Sequence, residues 1–347
     1  MKQQEKKMFA KDPLHLKLDI ALEKLLAKRK ELIANLPKGV AYGAPAARRP
    51  EGYVEEDKEL GVLNFEWADQ IRKENDECNE VLFEILAGLP RCDRNTLPKL
   101  TPDKVWVWGG PTPQWGGSMA DDTLVRGADY FNAENAVYVY GPTTDKMMQM
   151  HSKYKKMLCQ VNSNCRTAGA LYHSEEENAA LLSELSLKYP NIVGAMCDDY
   201  CTGTNRILLP ERYEKIYRGT KKVNKDLKVY GVVYAHELPV RNFQLVQDYV
   251  DVVNFWIWNK DEILDYDEHI ARCQENFPGK PIIQGIFIHE YGRADVGNPP
   301  AILEYQLDKA REYMAKGVVE GIIILGDREI KKWPESASAV KNYLLNQ

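Results

Sequence analysis

Beyond residue 100 the chain alternates short apolar runs with longer amphipathic stretches, and it does so eight times. The runs begin near Val105, Val137, Met157, Ile192, Lys228, Asp251, Lys280 and Val318, spaced by about 30 residues, the length of one strand, loop, helix and loop. Near-continuous apolarity is what a strand covered on both faces requires. The runs therefore read as strands over 104–109, 136–140, 156–161, 191–198, 227–234, 251–258, 281–289 and 318–325. Stretches between them, such as 175–189 and 300–316, carry helical periodicity. Eight consecutive strand–helix units predict an α/β fold, a closed (β/α)8 barrel over 101–347, with its chemistry at the C-terminal strand ends.

Residues 1–100 follow a different pattern. Apolar residues at helical spacing (Leu18, Ile20, Leu22, Leu25, Leu26, Leu32, Ile33) predict a helix over 16–36, stopped by Pro37 and Gly39. The Gly-, Pro- and Ala-rich segment 38–53 reads as an extended connection, and a second helical pattern covers 65–86. Two helices bury little by themselves, so this part is expected to pack on the barrel as a helical extension.

Alternation along a strand carries the argument to the strand ends. A lone polar residue in an apolar run is taken to face the barrel axis, because the helix layer offers it fewer partners. On the seventh run Gln284 then brings Ile286, Ile288 and Glu290 inward; on the sixth Asn254 brings Trp256 and Trp258; on the third Gln160 brings Asn162. The fourth run closes with Asp198, Asp199 and Tyr200. Alternation allows one of the two aspartates to face the axis, and nothing earlier in that run says which.

Carboxylates at the fourth and seventh strand ends suit cleavage of an acetal. One protonates the leaving oxygen and the other stabilises or captures the oxocarbenium-like centre. Trp106, Trp108, Trp115, Tyr138, Tyr140, Tyr200, Tyr234, Trp256, Trp258 and Tyr291 lie on or just after strand ends, and their rings offer faces on which sugars pack. His236 and Glu237 close the fifth run and His289 precedes Glu290. With Asp198, Asp199 and Asp327 the two histidines form an alternative, metal-binding set. The first run has WVW in place of an HxH pair, and no HExxH, GxSxG, GxxxxGK[ST] or GxGxxG motif occurs. No metal and no cofactor is expected.

Composition narrows the classes further. A formal charge of −5 over 347 residues gives little support to nucleic-acid binding. No apolar run approaches the length needed to span a bilayer. The charged start MKQQEKKMFAKDPLHLKLDI has no signal-peptide core, which predicts a cytoplasmic protein as written and an exported one if a leader has been trimmed. The seven cysteines, at 78, 92, 159, 165, 197, 201 and 273, form no CxxC pair and read as free thiols.

The endings CDDY, VVYAHEL, VVNFWIWN, GIFIHEYG and EGIIILGD, spread over 191–328, resemble those of a little-characterised bacterial family of glycoside-hydrolase-like TIM barrels. Asp198, Asp199, Trp256, Trp258, Glu290, Tyr291 and Gly292 match its Asp-Asp-aromatic, Phe-Trp-x-Trp and acidic-Tyr-Gly endings. The layout is also similar to that of retaining glycosidases whose acid/base follows strand four and whose nucleophile ends strand seven, although those carry Asn-Glu where this chain has Asp-Asp. The resemblance implies a glycosidase acting on a carbohydrate, with Asp198 or Asp199 as acid/base and Glu290 as nucleophile or base. Trp108, Trp115, Tyr140, Asn162, Tyr200, His236, Glu237, Trp256, Trp258, His289 and Tyr291 are the expected substrate-binding residues. A carbohydrate-binding barrel without turnover and a metal-dependent hydrolase or isomerase are the alternatives.

Overall fold

A computed structural model describes residues 12–35, 62–111, 120–139, 141–162, 174–200, 209–290, 292–294, 296–326 and 329–347. Two helices come first, α1 (Pro13–Ala34) and α2 (Val62–Gly88). The barrel follows as β1 (Val105–Gly109), α3 (Thr123–Tyr130), β2 (Asn135–Tyr138), α4 (Asp145–Met150), β3 (Lys156–Gln160), α5 (Glu175–Leu185), β4 (Ile192–Cys197), α6 (Pro210–Thr220) and β5 (Lys228–Tyr234). It continues with β6 (Val252–Trp256), α7 (Tyr266–Asn276), β7 (Ile282–Phe287), α8 (Pro300–Ala315), β8 (Val319–Leu325), α9 (Glu329–Lys332) and α10 (Pro334–Asn346). All eight expected strands form, each parallel to its neighbours, and β1 pairs β8 to close the barrel.

Local signals explain several boundaries. Proline occupies the first turn of α1, α6, α8 and α10, where its missing N–H has no helical partner to lose. At α5 the Ser174 hydroxyl accepts from the Glu177 N–H at 3.2 Å and Glu177 Oε2 accepts from the Ser174 N–H at 2.7 Å, a reciprocal cap. The fifth unit departs from the expected pattern. Between β5 and β6 the described chain makes three 3-10 turns, at Ala235–Glu237, Phe243–Leu245 and Gln247–Tyr249, and no α-helix. Pro239 interrupts this short connection, and a helix interior cannot accept it without losing a hydrogen bond.

Strand alternation divides the core into two layers. Trp106, Trp108, Val137, Leu158, Met196, Tyr230, Val232, Tyr234, Val252, Trp256, Ile283, Phe287, Ile323 and Leu325 belong to the cluster inside the barrel. Val107, Ala136, Cys159, Val229, Val253, Phe255, Ile286 and Ile322 point the other way and pack with Leu124, Leu182, Ile216, Ile270 and Leu303 of the helices. The interior is thus packed with side chains, as barrels of this size require. A third, smaller cluster joins Ala21, Leu25 and Leu32 of α1 to Ile71 and Cys78 of α2 and to Ala294 beyond β7. The N-terminal helices therefore sit against the barrel near a strand end.

Candidate active site

The β4 end brings the two aspartates together. Met196 lies in the interior cluster and Cys197 in the outer one, so simple alternation would send Asp198 inward and Asp199 out. Asp199 instead adopts φ = 47°, a left-handed conformation that aspartate tolerates better than most residues. Alternation ends there. The Asp199 carboxylate accepts the Tyr234 hydroxyl at 2.7 Å, and Tyr234 belongs to the interior cluster. Both carboxyls thus share one neighbourhood, and the choice between them that alternation demands does not arise.

Burial raises the pKa of both groups. Asp198 is held well above the ordinary carboxylate range, first by desolvation and then by the neighbouring Asp199 charge. Asp199 is raised by desolvation, with the Tyr234 hydroxyl pulling it back down. Two carboxyls in this relation titrate as a pair. The hydrogen bond favours ionisation of Asp199, and the charge there makes Asp198 the harder of the two to ionise.

Around the pair the structure sorts the expected residues into three groups. Asn162 joins it directly, its side-chain amide donating to the Asp198 carbonyl while its Oδ1 accepts from Gln160 Nε2 at 3.0 Å. Tyr234 carries His236 stacked on its ring at 5.6 Å and Trp258 edge-on at 4.9 Å. His236 is exposed and Trp258 half-buried, so these two present ring surface that a ligand can reach.

A second group fills the barrel. Trp108 meets Trp256 edge-on at 5.9 Å, and Trp256 Nε1 donates to Asn254 Oδ1 at 2.8 Å. At 3% and 2% exposure, respectively, Trp108 and Trp256 are core residues beneath the mouth, a correction to their expected place on the substrate platform. Asn254 and Trp256 do face the axis as its phase predicts.

The third group has other work. Tyr200 points into the helix layer, its ring 4.5 Å from Tyr213 and its hydroxyl donating to the Val246 carbonyl at 3.4 Å; it does not line the mouth. Glu237 is buried and accepts the Tyr234 N–H at 3.3 Å, closing the turn after β5. His289 lies 3.5 Å from a Glu329 carboxylate, both side chains 1% exposed. Trp115, Tyr140 and Tyr291 lie outside the described residues.

The β7 end contradicts its predicted phase. Gln284 Oε1 accepts the Tyr266 hydroxyl of α7 at 2.8 Å, and its Nε2 donates to the Phe255 and Gly285 carbonyls at 3.2 and 2.8 Å. Ile286 and Ile288 belong to the outer cluster, Ile283 and Phe287 to the inner. Gly285 faces inward, where an added Cβ would overlap the Trp256 indole. Tyr266 of α7 and two strand carbonyls satisfy the amide, which the expectation of an inward Gln284 did not allow for.

Glu290 follows from this phase. It is 1% exposed, and Oε2 accepts the Ala294 N–H at 2.8 Å while Oε1 has no hydrogen-bond partner among the described residues. Burial lifts its pKa to about 7, against the pull of Lys260. Lys260 in turn donates to Asn75 and Asn79 of α2. The charged groups acting on Glu290 are Lys260, Asp261 and Arg293; the one acting on Asp198 is Asp199.

Among the described residues no three His, Cys, Asp or Glu side chains come together to hold a metal ion. His236 and His289 make separate contacts, the first with Tyr234 and the second with Glu329. Among those residues, too, no helix is long and apolar enough to cross a membrane.

No protein-family profile and no curated protein matches the chain. Solved structures resemble it at low identity and at TM-scores below 0.5. A protein assigned as an α-L-fucosidase from Bacteroides thetaiotaomicron is 10% identical over 75% of this chain and 96% of its own, with a TM-score of 0.49. A family GH18 chitinase from Chromobacterium violaceum is 9% identical over 73% of this chain and 86% of its own, at 0.48. A β-glucuronidase from Bacteroides uniformis is 12% identical over 65% of this chain, at 0.44, and this chain spans 30% of its length.

Sequence reasoning named Tyr234 among the strand-end aromatics and Gln160 as a phase marker, but placed neither in the site. The signal for Tyr234 is its phase, two residues before His236 on the same strand face. No pattern announces its hydrogen bond to Asp199.

Proposed function

We propose that the barrel mouth binds a carbohydrate and cleaves a glycosidic bond, with the Asp198–Asp199 pair supplying the proton. The observation that carries this reading is the hydrogen bond from Tyr234 to Asp199, which divides two adjacent buried carboxyls into an anion and an acid. Asp198, the harder of the two to ionise, protonates the leaving oxygen. Asp199, held as the anion, stabilises positive charge as it develops on the sugar ring, and a water completes the hydrolysis by bonding to the anomeric carbon and giving its proton back to the Asp198 carboxylate. That division of labour between neighbouring carboxyls is what acetal cleavage at neutral pH needs. Trp258 and His236 offer the sugar its aromatic surface, and Asn162 fixes the backbone of Asp198. Glu290, buried and bonded to the Ala294 N–H, is left out of the chemistry.

A panel of aryl and natural glycosides tests the reading with wild type, Asp198→Asn, Asp199→Asn and Glu290→Gln. Both Asp variants are expected to lose most activity and Glu290→Gln to keep it. Activity indifferent to both Asp changes sinks the assignment, and a loss in Glu290→Gln as deep as theirs returns that carboxylate to the chemistry. Saturable sugar binding with no product would make the barrel a carbohydrate-binding module instead.

A further inference from the structure

Beyond β7 the chain makes a tight excursion. His289 and Gly297 form an antiparallel bridge, the Glu290 N–H donates to the Val296 carbonyl at 2.8 Å, and the Asn298 N–H donates to the Ile288 carbonyl at 2.8 Å. One side of this excursion touches the mouth. A Cβ on Gly292 would stand 2.6 Å from Cδ1 of Trp258 and collide with the Asn259 side chain, so the backbone there packs closely on both residues. Arg293 makes a two-pronged contact to Asp261, with both distances 2.9 Å.

The other side is held by the N-terminal helices. Arg29 of α1 donates to the Gly292 carbonyl at 3.0 Å. Ala294 is fully buried with Leu25, Ile71 and Cys78. Lys260, two residues after Trp258 and 5% exposed, donates to Asn79 Oδ1 at 2.8 Å and also to Asn75. Its charge favours the ionised form of Glu290, whose Oε1 is buried without a hydrogen bond among the described residues.

A helix pair that merely covers apolar surface has no need of a buried ammonium, whose desolvation costs several kcal/mol. A buried polar joint fixes one docking geometry where apolar packing tolerates several. This joint ties α2 to Lys260, and Asp261 beside it holds Arg293 of the excursion, whose Gly292 packs on Trp258. We infer that the α1–α2 hairpin is a working part of the mouth, with Lys260 and Arg29 as positioning residues that hold the excursion against Trp258 and so set where a sugar ring can stack. The stacking clause rests on the carbohydrate reading above; the clamp does not.

Hydrogen exchange on the full chain, comparing wild type with Lys260→Met and Arg29→Met, tests the clamp without any substrate. Amides of 290, 292–294, 296 and 297 are expected to exchange at least about tenfold faster in both variants, while β8 and α5 keep their protection. Wild-type protection at those positions in both variants overturns the proposal, even if α2 itself loosens. Should Lys260→Met fail to fold, Arg29→Met decides the question alone.

Kinetics then tests the link to Trp258. On any glycoside that wild type cleaves, Arg29→Met and Gly292→Ala are expected to raise KM about tenfold and to leave kcat within about twofold. A fall in kcat at unchanged KM overturns that link. A wild type that cleaves no glycoside defeats the glycosidase reading, while the exchange result still stands or falls by itself.

Discussion

The ends of β4 and β7 both bury carboxyl groups, and they treat the charge differently. At β4 a left-handed Asp199 places a second carboxyl beside the first, and a tyrosine hydroxyl makes that second one the easier to ionise. At β7 a single carboxyl, Glu290, is sealed under helices and answered by a lysine of the neighbouring loop. The first arrangement sets two carboxyls of unequal acidity beside a tyrosine that carries solvent-reachable aromatic surface. The second spends its electrostatics on joining three pieces of chain. A perturbed carboxyl is a candidate for chemistry at either place, and the surroundings separate them: the β4 pair is bonded to Tyr234, which carries His236 and Trp258, whereas Glu290 is bonded to Ala294, which is buried against α1 and α2.

The comparison breaks most visibly in activity. Loss of a general acid typically costs about 10²–10⁴-fold in rate, and Asp198→Asn is expected to fall in that range on glycosides with poor leaving groups. On activated aryl glycosides, which leave without a proton, the same variant is expected to lose much less. Asp199→Asn should be impaired on both, since charge stabilisation is needed whatever the leaving group. Steady-state kinetics on the two substrate types checks this, and identical profiles for the two variants would erase the proposed division of roles.

Glu290 should register in stability. Its pKa rises from 4.5 to about 7 in the folded chain, so the native state binds the proton more tightly across that window. The stabilisation is complete below pH 4.5 and is lost as pH rises through about 7. The penalty of ionisation amounts to about 3 kcal/mol above that range. Glu290→Gln keeps an oxygen for the Ala294 N–H and removes the charge. Denaturant unfolding is expected to find the variant more stable than wild type at about pH 8, by up to about 3 kcal/mol, with the difference gone in acid. A variant less stable than wild type at every pH would mean that Lys260 gains more from the carboxylate than its burial costs.

Tyr234→Phe sharpens the β4 side. The lost hydrogen bond to a charged acceptor is worth roughly 1.5–3 kcal/mol, and its removal raises the Asp199 pKa further. The acid limb of kcat/KM against pH is expected to move upward, with the aromatic surface intact. An unmoved limb would show that Tyr234 has no hold on the ionised group.

The barrel was readable because strands buried on both faces leave apolar runs that little else produces, as in the run that became β8. Phase was readable where the polar residue finds its partner inside the barrel, as Asn254 does with Trp256 and Gln160 with Asn162. It failed at Gln284 because the partner, Tyr266, lies on a helix 18 positions earlier, a pairing that no local pattern encodes. The Asp198–Asp199 ambiguity was a consequence of assuming extended backbone, and one positive φ removes it. The missing helix after β5 hangs on Pro239, which the regular spacing of the runs concealed.

Gln284 offers the last and smallest test, and one that separates fold from function. If its amide serves the helix layer, Gln284→Leu leaves the Tyr266 hydroxyl buried without an acceptor. The expected cost is about 1–3 kcal/mol of stability with catalysis unchanged, because nothing at the mouth touches the amide. Tyr266→Phe removes the other half of the same hydrogen bond. Two residues sharing one interaction do not add, so the double variant is expected to recover a large part of the sum of the single losses. A Gln284→Leu protein with wild-type stability and altered kinetics would restore the inward phase, and with it the case for Glu290 in the mouth.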